Sequence, residues 1–209
     1  MSIDPLTVAV GFGVLLISLT VHEAAHAWTA DRLGDPTARA LGRVSLNPAV
    51  HIDPIGTLLL PLLAAVSHLP LIGWAKPVPV NTRNLRDPRR GFTIVAAAGP
   101  ISNLLQACVW SLAFRISGGH GAYPDGSLLQ ATLYLGVETN LLLAFFNLIP
   151  IPPLDGGNVA LGLLPPSLAV HYVRLRQFGF LILYALMFTG IASALIFPPT
   201  DFFLRMLLR

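Results

Sequence analysis

Residues 6–30 read LTVAVGFGVLLISLTVHEAAHAWTA, 25 residues without a lysine, arginine or aspartate. A helix of about 20 residues crosses the hydrocarbon core of a bilayer, so this stretch is long enough to span. Every ionisable group in it falls within His22-Glu23-Ala24-Ala25-His26. On a helix, residues i and i+4 share a face, so both imidazoles can reach one metal ion with Glu23 beside them. Ionisable side chains inside a span are costly and mark function by default. Two histidines at this spacing with an adjoining glutamate form the H-E-x-x-H zinc pattern, whose carboxylate takes a proton from water at the metal.

The rest of the chain agrees with a membrane setting. Of 209 residues, 54% are hydrophobic and 11% charged, against about 25% charged in soluble domains, and the mean hydropathy is +0.69. Further apolar stretches run over Ile55–Ile72, Phe92–Ile116, Leu128–Ile149 and Phe178–Phe197. The first of these carries Pro61 and Pro70 and follows Pro54, and so reads as re-entrant or interfacial. The isoelectric point of 9.5 comes from basic loops beside spans. No basic run is interleaved with aromatics, which argues against a nucleic-acid partner. A single cysteine, Cys108, excludes an internal disulfide framework and a cysteine zinc cluster. The start, Met1-Ser-Ile-Asp-Pro5, lacks a positive n-region, so the first apolar stretch is expected to remain in the mature protein.

A catalytic zinc takes three protein ligands and keeps an open fourth position. His51, His68, His120 and His171 lie in loops or at segment edges. Asp155 is better placed, after a full span in Asn147-Leu-Ile-Pro150-Ile-Pro-Pro-Leu154-Asp155-Gly156-Gly157. There the prolines stop the helix and the glycines are expected to let the backbone turn tightly.

These residues carry a family likeness. His22-Glu23-x-x-His26 with Asn147-x-x-Pro150-x-x-x-Leu154-Asp155-Gly156 resembles the paired signature of the site-2 proteases, intramembrane zinc metalloproteases, and Gly99-x-x-x-Asn103 matches their G-x-x-x-N element between the two. The resemblance spans Leu6 to about Gly157. It implies one zinc ion per chain held by His22, His26 and Asp155, Glu23 as general base, and hydrolysis of a peptide bond in or near a substrate's transmembrane helix. Many members carry a PDZ or CBS domain; a short form without either is expected here. The bilayer and a transmembrane protein substrate are the expected partners, and no soluble cofactor is expected.

Both ligand motifs end their spans, so those two helices must run the same way across the membrane. An odd number of crossings then separates them, and Phe92–Ile116 supplies one. With Ile55–Ile72 re-entrant, ten basic residues share one side and Arg115, Arg205 and Arg209 take the other, as the positive-inside rule asks. The expected fold is an all-α polytopic membrane protein of one domain, residues 1–209. It has about four transmembrane helices, a re-entrant segment and short membrane-edge strands. Its motif-bearing core covers 6–157, with a C-terminal helix over 178–197. The N-terminus is expected outside and the site near the cytoplasmic face of the cell membrane.

Asn147 is a candidate for supporting catalysis or holding unwound substrate, since its amide both donates and accepts; a helix–helix hydrogen bond is its alternative. Asn103 is a candidate for substrate binding, with close packing at Gly99 beside it. Trp74–Asn81 alternates and suits an edge strand that pairs with extended substrate. Two other functions stay open: a metal-dependent transporter, which has no use for Glu23, and a proteolytically silent membrane chaperone or binder, which has no need to retain it.

Overall fold

The computed structural model describes residues 5–61, 63, 73–121 and 127–209. Among the described residues, three helices are long and apolar enough to cross a membrane: α1 (Pro5–Arg32), α3 (Pro88–Ile116) and α4 (Leu128–Asn147). A short helix, α2 (Thr37–Ala40), follows α1. The C-terminal part comprises α5 (Asp155–Leu163), α6 (Pro166–Val173), α7 (Gly179–Phe188) and α8 (Ile191–Leu207).

Local chemistry sets the helix ends. Asp87 caps α3 by accepting from the backbone of Arg89 and Arg90, with Pro88 in the first turn. Ser127 caps α4 through Gln130 N–H. Capping of this kind satisfies amides that lack intrahelical partners.

Side-chain pairings give the helix directions. Along α1, Gln106 reaches Ser18, Asn103 meets His22 and Val95 meets His26. Sequence numbers thus rise on α1 as they fall on α3, and the two helices are antiparallel. Between α3 and α4, Asn103 pairs with Asn140 and Ser117 with Gln130, again antiparallel. So α1 and α4 run the same way and end on the same side, as two motifs at helix C-termini require.

A core of Ala107, Phe114, Leu133, Val137, Leu141, Leu204 and Leu208 joins α3, α4 and α8. The outward side of α3 shows Ile101, Leu105, Leu112 and Ile116, each more than half exposed. Such a stripe is costly in water and ordinary in lipid.

Two expectations are corrected. Phe178–Phe197 is not one straight helix: α6–α7 and α8 meet at a 72° bend. Gly190 stands at the break with φ +77°, a left-handed conformation that stops a helix and costs glycine little. The expected edge strand is absent as well, and among the described residues there is no strand. Trp74–Val80 instead runs as an extended strap, since Pro77 and Pro79 cannot donate to a ladder.

The strap is tied down piecewise. Trp74 N–H reaches Gly56 O, Lys76 N–H reaches His51 O, and Thr57 Oγ1 donates to Trp74 O. Arg43 donates to the Lys76 carbonyl. Gly56 and Thr57 therefore lie beside Trp74, whereas one full crossing between them would part them by about 30 Å. Residues 62 and 64–72, on which the rest of the re-entrant reading falls, lie outside the described residues.

The far end of the strap is held by Asp35, which is fully buried. Its carboxylate accepts from Thr37 N–H and Oγ1, Asn81 N–H and Asn84 Nδ2. Burial by itself raises its pKa, but these hydrogen bonds outweigh it and hold the carboxyl below its ordinary value. Removing the carboxylate leaves buried donors unpaired, so Asp35→Ala should cost about 1–3 kcal/mol. A group with a lowered native pKa contributes stability that is full above its unfolded pKa, about 4 for aspartate, and is lost as pH falls through the native value. Thermal unfolding in detergent should show the gap between wild type and Asp35→Ala constant from pH 7 to 5 and shrinking below about pH 4.

Candidate metal centre

His22 and His26 lie one turn apart on α1, both buried. Asp155 begins α5, immediately after the Pro150–Leu154 turn that follows α4. His22 Nε2 and His26 Nε2 are 3.1 Å apart, and Asp155 Oδ2 lies 3.1 Å from the first and 3.3 Å from the second. Ligand atoms 2.0–2.1 Å from a tetrahedral zinc lie ~3.3 Å from one another. The three atoms therefore have the spacing of three corners of a zinc tetrahedron.

Hydrogen bonding fits the same reading. His22 Nδ1 meets Asn103 Oδ1 at 2.5 Å and His26 Nδ1 meets Val95 O at 2.7 Å. Both partners are acceptors, so each imidazole donates from Nδ1 and turns the lone pair of Nε2 towards the other ligands. Asp155 Oδ2 is buried without a hydrogen-bond donor. Three electron pairs facing one another repel unless a cation sits among them. Zinc fits this donor set of two nitrogens and a carboxylate oxygen.

Glycine makes the approach possible. A Cβ on Gly99 of α3 would collide with Nε2 of both His22 and His26, so close packing there is what the site needs. Gly156 and Gly157 serve differently from the expected tight turn. Neither has positive φ, and both lie in α5, where a Cβ would strike the backbone of Leu148 or of Ile151–Pro152. Their missing side chains let α5 sit against the preceding turn. Ile149, Leu154 and Leu183 pack that turn against α7.

A cavity of about 490 Å³ opens at His22, His26 and Asp155. Glu23 lines it, as do Trp74, Val78 and Val80 of the strap, Asn147 of α4, and Leu19, Phe92 and Phe146. Asn147 is half-buried, with its Nδ2 bonded to Leu143 O. Asn103 is fully buried behind His22 and does not line the cavity; it meets His22 Nδ1 rather than the open space. His51 bonds Ser45 O, and Asn47 caps a short turn, both structural roles. Asn140 and Ser18 escaped the sequence reading. They are buried polar residues in apolar helices and join Asn103 in one network. Their signal was polarity within a span.

Residues 116–190 match the model of "Peptidase family M50". Over 189 residues the chain is 36% identical to "Putative zinc metalloprotease YwhC" of Bacillus subtilis, covering 88% of this chain and 82% of that protein. The chain belongs to peptidase family M50, the site-2 protease family. It is also 32% identical over 179 residues to "Putative zinc metalloprotease Rip2" of Mycolicibacterium smegmatis, where it spans 64% of that protein's length. A 65-residue match at 40% identity links it to "Putative zinc metalloprotease MJ0611" of Methanocaldococcus jannaschii. No solved structure matches the chain. This M50 peptidase is a membrane zinc metalloprotease, and its cofactor is Zn²⁺.

Gly99 offers a direct check. In a helix interior alanine is favoured over glycine by about 1 kcal/mol, so Gly99→Ala should leave helix content intact by circular dichroism. The added methyl must nevertheless push the imidazoles apart. Zinc content after dialysis against a weak chelator should fall well below that of the wild type.

Proposed function

We propose that this M50 peptidase hydrolyses a peptide bond in or near a transmembrane helix of a membrane-protein substrate, with zinc held by His22, His26 and Asp155. The observation that carries this is the convergence of those three ligand atoms at 3.1–3.3 Å between apolar helices, at the wall of a cavity that Glu23 also lines.

Bound zinc supplies Lewis acidity, which acidifies water and polarises a carbonyl. Glu23 takes the proton of the attacking water as the new C–O bond forms. It then returns the proton to the nitrogen as the C–N bond breaks, leaving a carboxylic acid and an amine, which ionise to carboxylate and ammonium. A helical peptide bond hides its carbonyl, so the substrate must unwind to be attacked. The strap supports this step. Its hydrogen bonds are spent at Trp74, Lys76 and Asn81, while Val78 and Val80 face the cavity and take no part in them. Their backbone can pair with an extended substrate without a strand being present beforehand. Asn147 on the opposite wall has an oxygen with which to hold the same segment.

The orientation rests on charge. Arg115 bonds Leu207 O at the end of the bundle away from the site, near Arg205 and Arg209. At the site's end, Arg176 bonds Asn158 and Arg43 reaches the strap. With ten basic residues on the site's side and three on the other, the site faces the cytoplasm and the N-terminus lies outside.

Two experiments test the proposal. Purified protein should carry one zinc per chain. His22→Ala, His26→Ala and Asp155→Ala should lose it, and Glu23→Gln should keep it while cleaving a transmembrane substrate about 10²–10⁴-fold more slowly. Substrates with helix-breaking residues near the scissile bond should be cut faster than a uniform leucine helix, and Asn147→Ala should slow the unbroken helix more.

For orientation, exposed positions can be tagged singly in a Cys108→Ser background. A membrane-impermeant thiol reagent applied to intact cells should label His120→Cys and spare Ala40→Cys and Arg83→Cys. Labelling of either spared position would place the loop outside.

A further inference from the structure

His26 is oriented by a backbone carbonyl, Val95 O, which no side-chain replacement removes. His22 is oriented differently, by a line of side chains from three helices. Ser18 Oγ donates to Val14 O at 2.8 Å, four residues back on α1, so towards Asn140 the hydroxyl can only accept. Asn140 Nδ2 on α4 gives its two hydrogens to Ser18 Oγ and Gly136 O, each at 2.9 Å. Its Oδ1 must then face Asn103, whose Nδ2 donates to it at 2.8 Å. Asn103 is left with Oδ1 towards His22 Nδ1, at 2.5 Å.

Ser18, Asn103 and Asn140 are each fully buried. An interhelical hydrogen bond that served packing alone would hold in either direction. Here each amide has one permitted orientation, set at the far end by the backbone of α1 and passed along donor by donor.

We propose that Asn103, held by Asn140 and Ser18, is the positioning residue that locks His22 in its Nδ1–H form and aims Nε2 at the zinc. The proposal rests on the ligand reading above. Without the ladder, His22 is free to place its proton on Nε2, where it blocks coordination, and its ring is free to rotate about χ2. Partners of this kind behind a metal ligand change metal affinity by 10–100-fold.

The test uses the full chain in detergent, selectively ¹⁵N-labelled at histidine, with zinc competition against a chelator as the second readout. In the zinc-free wild type, His22 should show its proton on Nδ1. Asn103→Leu should bind zinc 10–100-fold more weakly and populate the Nε2–H form. Asn140→Leu should move both readouts the same way by less. Asn103→Asp retains an acceptor for Nδ1–H and should bind zinc at least as tightly as the wild type.

A proton on Nε2 in the zinc-free wild type would overturn the proposal. So would wild-type zinc affinity in Asn103→Leu, or loss of zinc in Asn103→Asp. If Asn103→Leu does not fold, the wild-type tautomer and the Asn103→Asp affinity decide. Failure of the ligand reading is separate and would appear as zinc retained by His22→Ala.

Discussion

Three electron pairs, on Nε2 of His22, Nε2 of His26 and Oδ2 of Asp155, face one another across 3.1–3.3 Å. That arrangement is unfavourable without a cation, and the surrounding structure is organised to hold it. Gly99 lacks the side chain that would part the imidazoles, and Gly156 lacks the one that would push α5 off the Leu148 carbonyl. The antiparallel pairs α1–α3 and α3–α4 bring the ends of α1 and α4 to one side. Without that parity, two motifs more than a hundred residues apart could not share an ion.

Polar groups within the apolar helices follow one economy. An unpaired polar atom in hydrocarbon costs several kcal/mol, and the buried polar groups around the site are bonded or face the cavity. Ser18, Asn103 and Asn140 satisfy one another, and both Nδ1 atoms have acceptors. Asp155 Oδ2 has no donor and faces the two Nε2 atoms, where a metal ion would satisfy it. Glu23 stands at the cavity wall, where substrate and water can reach it.

The strap supplies the site's other side. Its prolines forbid a ladder, yet its extended course is enforced by Asp35, Arg43 and the backbone of Gly56 and His51. An edge already extended but not paired fits the proposed substrate, a transmembrane helix that would have to be held unwound.

The fold class, the three long helices and the candidate ligands His22, His26 and Asp155, which the fold brings within 3.3 Å of one another, were legible in the sequence because each rests on a local rule. Hydrophobic length marks a span, i and i+4 share a helix face, and ionisable groups in lipid are too costly to be incidental. The shared direction of α1 and α4 was legible too, since both motifs end their helices. The bend at Gly190 was hidden, because one glycine in an apolar run is compatible with a continuous helix until packing selects positive φ. Nor did alternation in Trp74–Asn81 distinguish a strand from a strap, as a strand exists only when a partner chain lies beside it. The sequence offered Asn103 for substrate binding but favoured close packing at Gly99. Only the tertiary structure placed it against His22 Nδ1 with Asn140 and Ser18 behind it, because hydrogen-bond direction depends on which helices become neighbours, and no local pattern encodes that.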